Sequence, residues 1–123
     1  MKYKSLSKDQ RIQVWEKYDH HCAYCGKLLS LKDMQVDHIH PIYRGFSDKY
    51  LKKHNLVRGA DDISNYNPAC RSCNRRKGTF TIEQFREQLA NQFEWTIKNS
   101  RVKQCMDYNL LICNRHPIVF FYE

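Results

Sequence analysis

Apolar residues in this chain fall into patterned stretches separated by polar, strongly basic sequence. Between 7 and 19, Ile12, Trp15 and Tyr18 recur at helical spacing and Val14 widens the stripe, while Ser7 followed three residues on by Gln10 is a capping-box signature. This predicts an amphipathic helix over 7–19. A second capping box, Thr81 with Gln84, precedes Ile82, Phe85, Leu89, Phe93 and Ile97, which recur at intervals of three and four. That face demands burial, against the core or, as a lesser option, against a second copy. The run Pro117–Tyr122 is β-prone and offers a C-terminal strand. Between these stretches, Met34–Val36 leads into Asp37, and Pro41 ends or bends the segment because it cannot donate to a ladder. From Tyr43 to Asp62 no period emerges, and 50–56 reads as a short helix or a loop insertion.

A length of 123 residues is that of one domain with a modest core. No run of about 18 apolar residues suggests a membrane span. The N-terminal lysines are not followed by the apolar core of a secretory signal, so the expected location is cytoplasmic. The net charge of +8 is concentrated: segment 44–77 carries nine basic residues (Arg44, Lys49, Lys52, Lys53, Arg58, Arg71, Arg75, Arg76, Lys77) against Asp48, Asp61 and Asp62. A solvated basic face is the ordinary explanation of such a run, but clustered positive charge beside candidate chemistry points to a polyanion.

Six cysteines in a chain without a secretory signal favour metal over disulfides. Cys22-Ala-Tyr-Cys25 and Cys70-Arg-Ser-Cys73 each suit a tight knuckle presenting two thiolates, and Gly26 permits the left-handed turn after the first. Two knuckles complete a tetrahedral zinc site with no open position, hence a structural one. Two incidental pairs or a redox motif are the competing readings. His20 and His21 flank the first knuckle but are not needed as ligands, and Cys105 and Cys113 read as buried free thiols.

The remaining chemistry lies between Val36 and Lys77. Val36-Asp37-His38-Ile39-His40-Pro41, then Asn65, then Asn74 directly after the second knuckle, bring together oxygens for a hard divalent cation, a neutral imidazole to accept a proton, and Arg and Lys for phosphate. Over roughly 11–90 this order of motifs resembles the HNH endonucleases. The resemblance implies an α+β fold: a ββα-metal HNH core with a structural four-cysteine zinc site, flanking helices and a possible C-terminal strand. The whole chain, 1–123, is then a single HNH nuclease domain, with the core at about 11–90 and a helix or strand extension at 91–123. Asp37 sits at the end of the first strand of a hairpin and Asn74 on the helix.

The resemblance also implies roles. His38 is the general base, Asp37 and Asn74 hold one catalytic divalent ion, Mg²⁺ being the expected one, and Asn65 holds the loop that aims His38. Asn67 competes with Asn65 for that duty. Cys22, Cys25, Cys70 and Cys73 hold Zn²⁺. Arg71, Arg75, Arg76 and Lys77 are expected to contact phosphates, and His40 to be a partly exposed bystander. The expected partner is double-stranded DNA, cut by a monomer or a homodimer, with no membrane involved. Two rival readings stand beside this one. A non-catalytic zinc-ribbon nucleic-acid-binding module explains the cysteines and charge but not Asp37-His38 with Asn74. A zinc-nucleated protein-interaction domain leaves the basic 44–77 stretch unexplained.

Overall fold

A computed structural model describes residues 5–123. Helix α1 (Lys8–Glu16) starts as its capping box requires: the Ser7 side chain accepts from the Gln10 backbone, and the Gln10 side chain accepts from Ser7. It is shorter than the expected 7–19. After Lys17 the chain reverses through Asp19 and His20, both at positive φ. Trp15 drives this reversal, because the His20 ring stacks on it at 3.4 Å between centroids and its indole N–H donates to Leu29 O at 2.8 Å. Only Val14 of this helix is fully buried.

The reversal delivers the chain to the first knuckle, where Gly26 takes φ +79°. A Cβ at Gly26 would come within 2.8 Å of the Phe121 ring, so the position needs glycine for conformation and for space alike. Arg11 donates to Leu31 O and Met34 O and steadies the link to strand β1 (Gln35–His38). An insertion carrying helix α2 (Asp48–Lys53) and a 3-10 turn (Ile63–Asn65) precedes strand β2 (Tyr66–Ala69). The two strands are antiparallel, pairing Gln35 with Ala69, Val36 with Pro68, Asp37 with Asn67 and His38 with Tyr66. Cys70 then caps helix α3 (Arg71–Lys77), completing a ββα unit in an α+β fold.

Helix α4 (Ile82–Lys98) lays Phe85 into a core formed by Val14, Cys22, Tyr24, Leu29, Met34, Tyr66, Ala69, Cys70 and Phe120. Its apolar face is less buried than expected: Ile82, Leu89, Phe93 and Ile97 are only partly covered, because the core ends near the knuckles while α4 runs past it to helix α5 (Ser100–Asp107). The run 117–122 does not become a strand. Phe121 and Tyr122 donate backbone N–H groups to Tyr24 O and Ala23 O of the knuckle, not to the sheet. What holds this segment is side-chain packing, since Phe120 stacks on Phe85 and meets Tyr24 edge-on. Cys105 and Cys113 are half-exposed, not buried, since the α4–α5 arm lies outside the core; Cys113 Sγ sits 3.6 Å from Met106 Sδ. Among the described residues no helix is long and apolar enough to cross a membrane.

Candidate active site

Successive strand residues face opposite sides, so β1 presents Asp37 and His38 to different surroundings. Asp37 is buried, 4% exposed. Both its oxygens are engaged: the Tyr24 hydroxyl donates to Oδ2, and Lys77 Nζ lies 3.1 Å from Oδ2 and 3.3 Å from Oδ1. Lys77 also donates to His38 O at 2.8 Å. Burial pushes the Asp37 carboxyl up, opposed chiefly by the Lys77 charge, and burial pulls the Lys77 ammonium down, opposed by Asp37. Lys77 therefore corrects the expectation from sequence. Its side chain is fully buried and is not a phosphate contact. The reason is helical phase: it lies one turn beyond Cys73, on the inward face of α3.

His38 turns its Nε2 to Asp61 Oδ1 at 2.9 Å. The same carboxylate oxygen accepts from the Tyr66 hydroxyl at 2.7 Å, and the Tyr66 ring meets the His38 ring edge-on at 5.1 Å. The bond to His38, and then that from Tyr66, holds the Asp61 carboxyl below the usual range. The Tyr66 phenol is pushed up to about 12 by burial first and Asp61 second. Sequence reasoning passed over Asp61. The signal that could have found it is an Asp61–Asp62 pair inside an otherwise basic segment.

Asn74 stands on α3 with its amide nitrogen donating to Gln35 Oε1 at 2.7 Å, which leaves its Oδ1 available to a cation. Asp37, His38 and Asn74 together line one cavity of about 150 Å³, along with Pro41, Ile42, Tyr43 and Arg44. The donors fit a hard divalent ion. Carboxylate and amide oxygens are the ligands such ions take, Asp37 Oδ1 keeps acceptor capacity beyond its bond from Lys77, and the space admits water.

Asn65 is outside that cavity and clasps the chain that follows His38. Its Oδ1 accepts from His40 N at 2.9 Å, and its Nδ2 donates to His40 O and Ala60 O. Its backbone carbonyl accepts from Ile39 N at 2.8 Å. Gly59 passes so close that a Cβ would lie 2.1 Å from His40 O. Asn67, the competing candidate, is fully buried and faces Tyr24 and Lys17 instead. The His40 ring meets Val57 O through Nε2, 2.8 Å away. Arg71, Arg75 and Arg76 lie on the outer face of α3, where with Lys27, Ser72 and Gln88 they line an open cleft of about 750 Å³.

The sulfurs of Cys22, Cys25, Cys70 and Cys73 all lie within 4.8 Å of one another. A tetrahedral zinc with Zn–S of about 2.3 Å separates its sulfurs by roughly 3.8 Å, and Cys25 Sγ and Cys70 Sγ are 3.8 Å apart. Crowded thiols share protons unevenly, the Cys22–Cys73 hydrogen bond holding Cys22 down and Cys73 up. A cation resolves that conflict by letting all four ionise. Neither histidine beside the knuckle joins the cluster: His20 stacks on Trp15, and His21 sits 3.1 Å from Tyr18 O with its ring on Phe121.

Residues 22–80 match the profile of the family described as HNH endonuclease. A protein of Bacillus subtilis (strain 168), named "SPbeta prophage-derived putative HNH endonuclease YoqL", is 34% identical over 77 residues, which are 58% of this chain and 30% of that protein. The chain thus spans under a third of this relative's length. The crystal structure of the Type II-C Cas9 enzyme from Actinomyces naeslundii shares the fold, at TM-score 0.50 and 22% identity over 72% of this chain and 9% of that one.

Proposed function

We propose that this chain is a metal-dependent endonuclease that hydrolyses DNA phosphodiester bonds. The observation that supports the reading most is that Asp37, His38 and Asn74, from a strand and a helix, line one cavity in a segment that matches the HNH endonuclease family. The nuclease core is assigned to about 11–90 and residues 91–123 to a C-terminal extension.

In this reading Asp37 and Asn74 would hold one divalent ion, Mg²⁺ by preference for oxygen donors and retained water. When bound, that ion supplies Lewis-acid stabilisation of charge on the phosphate and the departing oxygen. The chain's own groups do the rest. His38 accepts the proton of the attacking water as a neutral imidazole. Lys77 holds the Asp37 carboxylate and the His38 carbonyl in register, Gln35 orients the Asn74 amide, and Asn65 fixes the loop after His38. Arg71, Arg75 and Arg76 bind phosphates outside the cavity, giving affinity without sequence information. The four cysteines hold a structural zinc that ties the first knuckle to the start of α3.

Nicking of supercoiled plasmid, with and without Mg²⁺, tests the proposal. Wild type should nick only with the ion, and His38→Ala should lose about 10²–10⁴-fold in rate while keeping zinc content and helical signal. A clean His38→Ala preparation cutting at the wild-type rate overturns the assignment. Binding without any nicking would leave a zinc-ribbon binding module in its place.

A further inference from the structure

We infer that Asp61 is a positioning residue for His38: it accepts the Nε2 proton and so presents Nδ1 as the nitrogen that takes the proton from water. This rests on His38 being the general base. The geometry that carries it is a closed triangle. His38 and Tyr66 are cross-strand partners, their rings meet edge-on, and both reach the same oxygen of Asp61, at 2.9 Å and 2.7 Å. An ionised carboxylate only accepts hydrogen bonds, so the imidazole nitrogen facing it carries the hydrogen. In a neutral ring the other nitrogen is then the acceptor.

Asp61 is placed by its neighbours on both sides. The carbonyl of Ala60 accepts from Asn65 Nδ2 at 2.8 Å, and Asp62 caps the 3-10 turn by accepting from Ser64 N at 2.9 Å. On the other partner, Lys77 holds the His38 carbonyl. Both ends of the His38–Asp61 contact are therefore anchored to the sheet and its flanking turn. An incidental surface pair would lack these restraints, and the His38 side chain is only 17% exposed. Without Asp61 the ring keeps its place beside Tyr66 but loses its preference between tautomers and its fixed rotation.

The test reads the tautomer directly. In uniformly ¹⁵N-labelled, zinc-loaded protein without added Mg²⁺, long-range ¹H–¹⁵N correlation should show His38 protonated on Nε2 and unprotonated on Nδ1. Asp61→Ala should show mixed or exchanging tautomers. In plasmid nicking, kcat should fall about 10- to 100-fold, the range for losing an orienting partner, with KM for DNA unchanged. Asp61→Glu should recover part of that loss. Wild-type His38 protonated on Nδ1 overturns the inference without any variant, as does Asp61→Ala with wild-type tautomer and kcat. A His38→Ala protein that still nicks overturns instead the reading on which this rests, and the spectrum of Asp61→Ala remains interpretable in either case.

Discussion

Replacing Lys77 by Met should destabilise the domain by about 3–5 kcal/mol, the cost of breaking a buried ion pair from one side. The structure supports that range. Lys77 and Asp37 are 0% and 4% exposed, and the ammonium makes contacts at 3.1 and 3.3 Å with the carboxylate and at 2.8 Å with His38 O. Methionine refills most of the volume, so the loss is electrostatic: a buried Asp37 carboxylate left without its cation and held chiefly by the Tyr24 hydroxyl. Against a total stability of about 5–15 kcal/mol this is severe.

Urea unfolding at fixed zinc concentration measures it, and a cycle with Asp37→Leu isolates the pair. Lys77→Met/Asp37→Leu should recover most of the loss, because removing both charges also removes both desolvation costs. The pH dependence has a definite sign. Burial raises the Asp37 carboxyl, and without Lys77 the main opposition to that rise is gone, leaving the weaker effects of the Tyr24 hydrogen bond and His38. A folded pKa above the unfolded value means the folded state takes up the proton first. The variant's stability is therefore retained near pH 4 and lost as pH rises through the folded pKa. Lys77→Met within 1 kcal/mol of wild type at pH 7.5, or single and double variants that simply add, would refute this reasoning and return Lys77 to a surface role.

Three further outcomes are expected. Neutralising Arg75 and Arg76 to Gln should weaken binding to all DNA sequences alike and flatten the dependence of affinity on salt, measured by fluorescence anisotropy; loss on one sequence only would make them base readers. Cys70→Ser should unfold the domain and lose zinc with no rescue by Mg²⁺, whereas brief chelation of wild type should stop cleavage reversibly with zinc still counted at about one per chain; a folded, active Cys70→Ser contradicts the structural site. Glu123, held down to about 2 by Arg86, stabilises the docked tail above its unfolded value of 4.5 and loses that contribution as pH falls from there towards 2. Glu123→Gln should abolish this acid dependence in the protease sensitivity of 117–123, and an unchanged profile would exclude the pair.

Local chemistry was readable in the sequence because its causes are local. Ser7 with Gln10 and Thr81 with Gln84 start helices where a side chain three residues away meets orphan N–H groups. Gly26 marks a left-handed turn, and the two Cys-x-x-Cys pairs close on one another because a knuckle can point its sulfurs in few directions. Asp37, His38 and Asn74, assigned by resemblance, do come to line one cavity. The tertiary structure decided what depends on neighbours far along the chain. Lys77, one more cation in a basic run, became the buried partner of Asp37, 40 residues away, since α3 had to turn Cys73 inward. The β-prone tail became an aromatic plug: its edge met knuckle carbonyls, and Phe120 found a slot between Tyr24 and Phe85. Asp61 reached His38 only because the insertion folds back through Asn65 and Gly59. No periodicity encodes such a contact, because the two residues share neither a helix face nor a strand register.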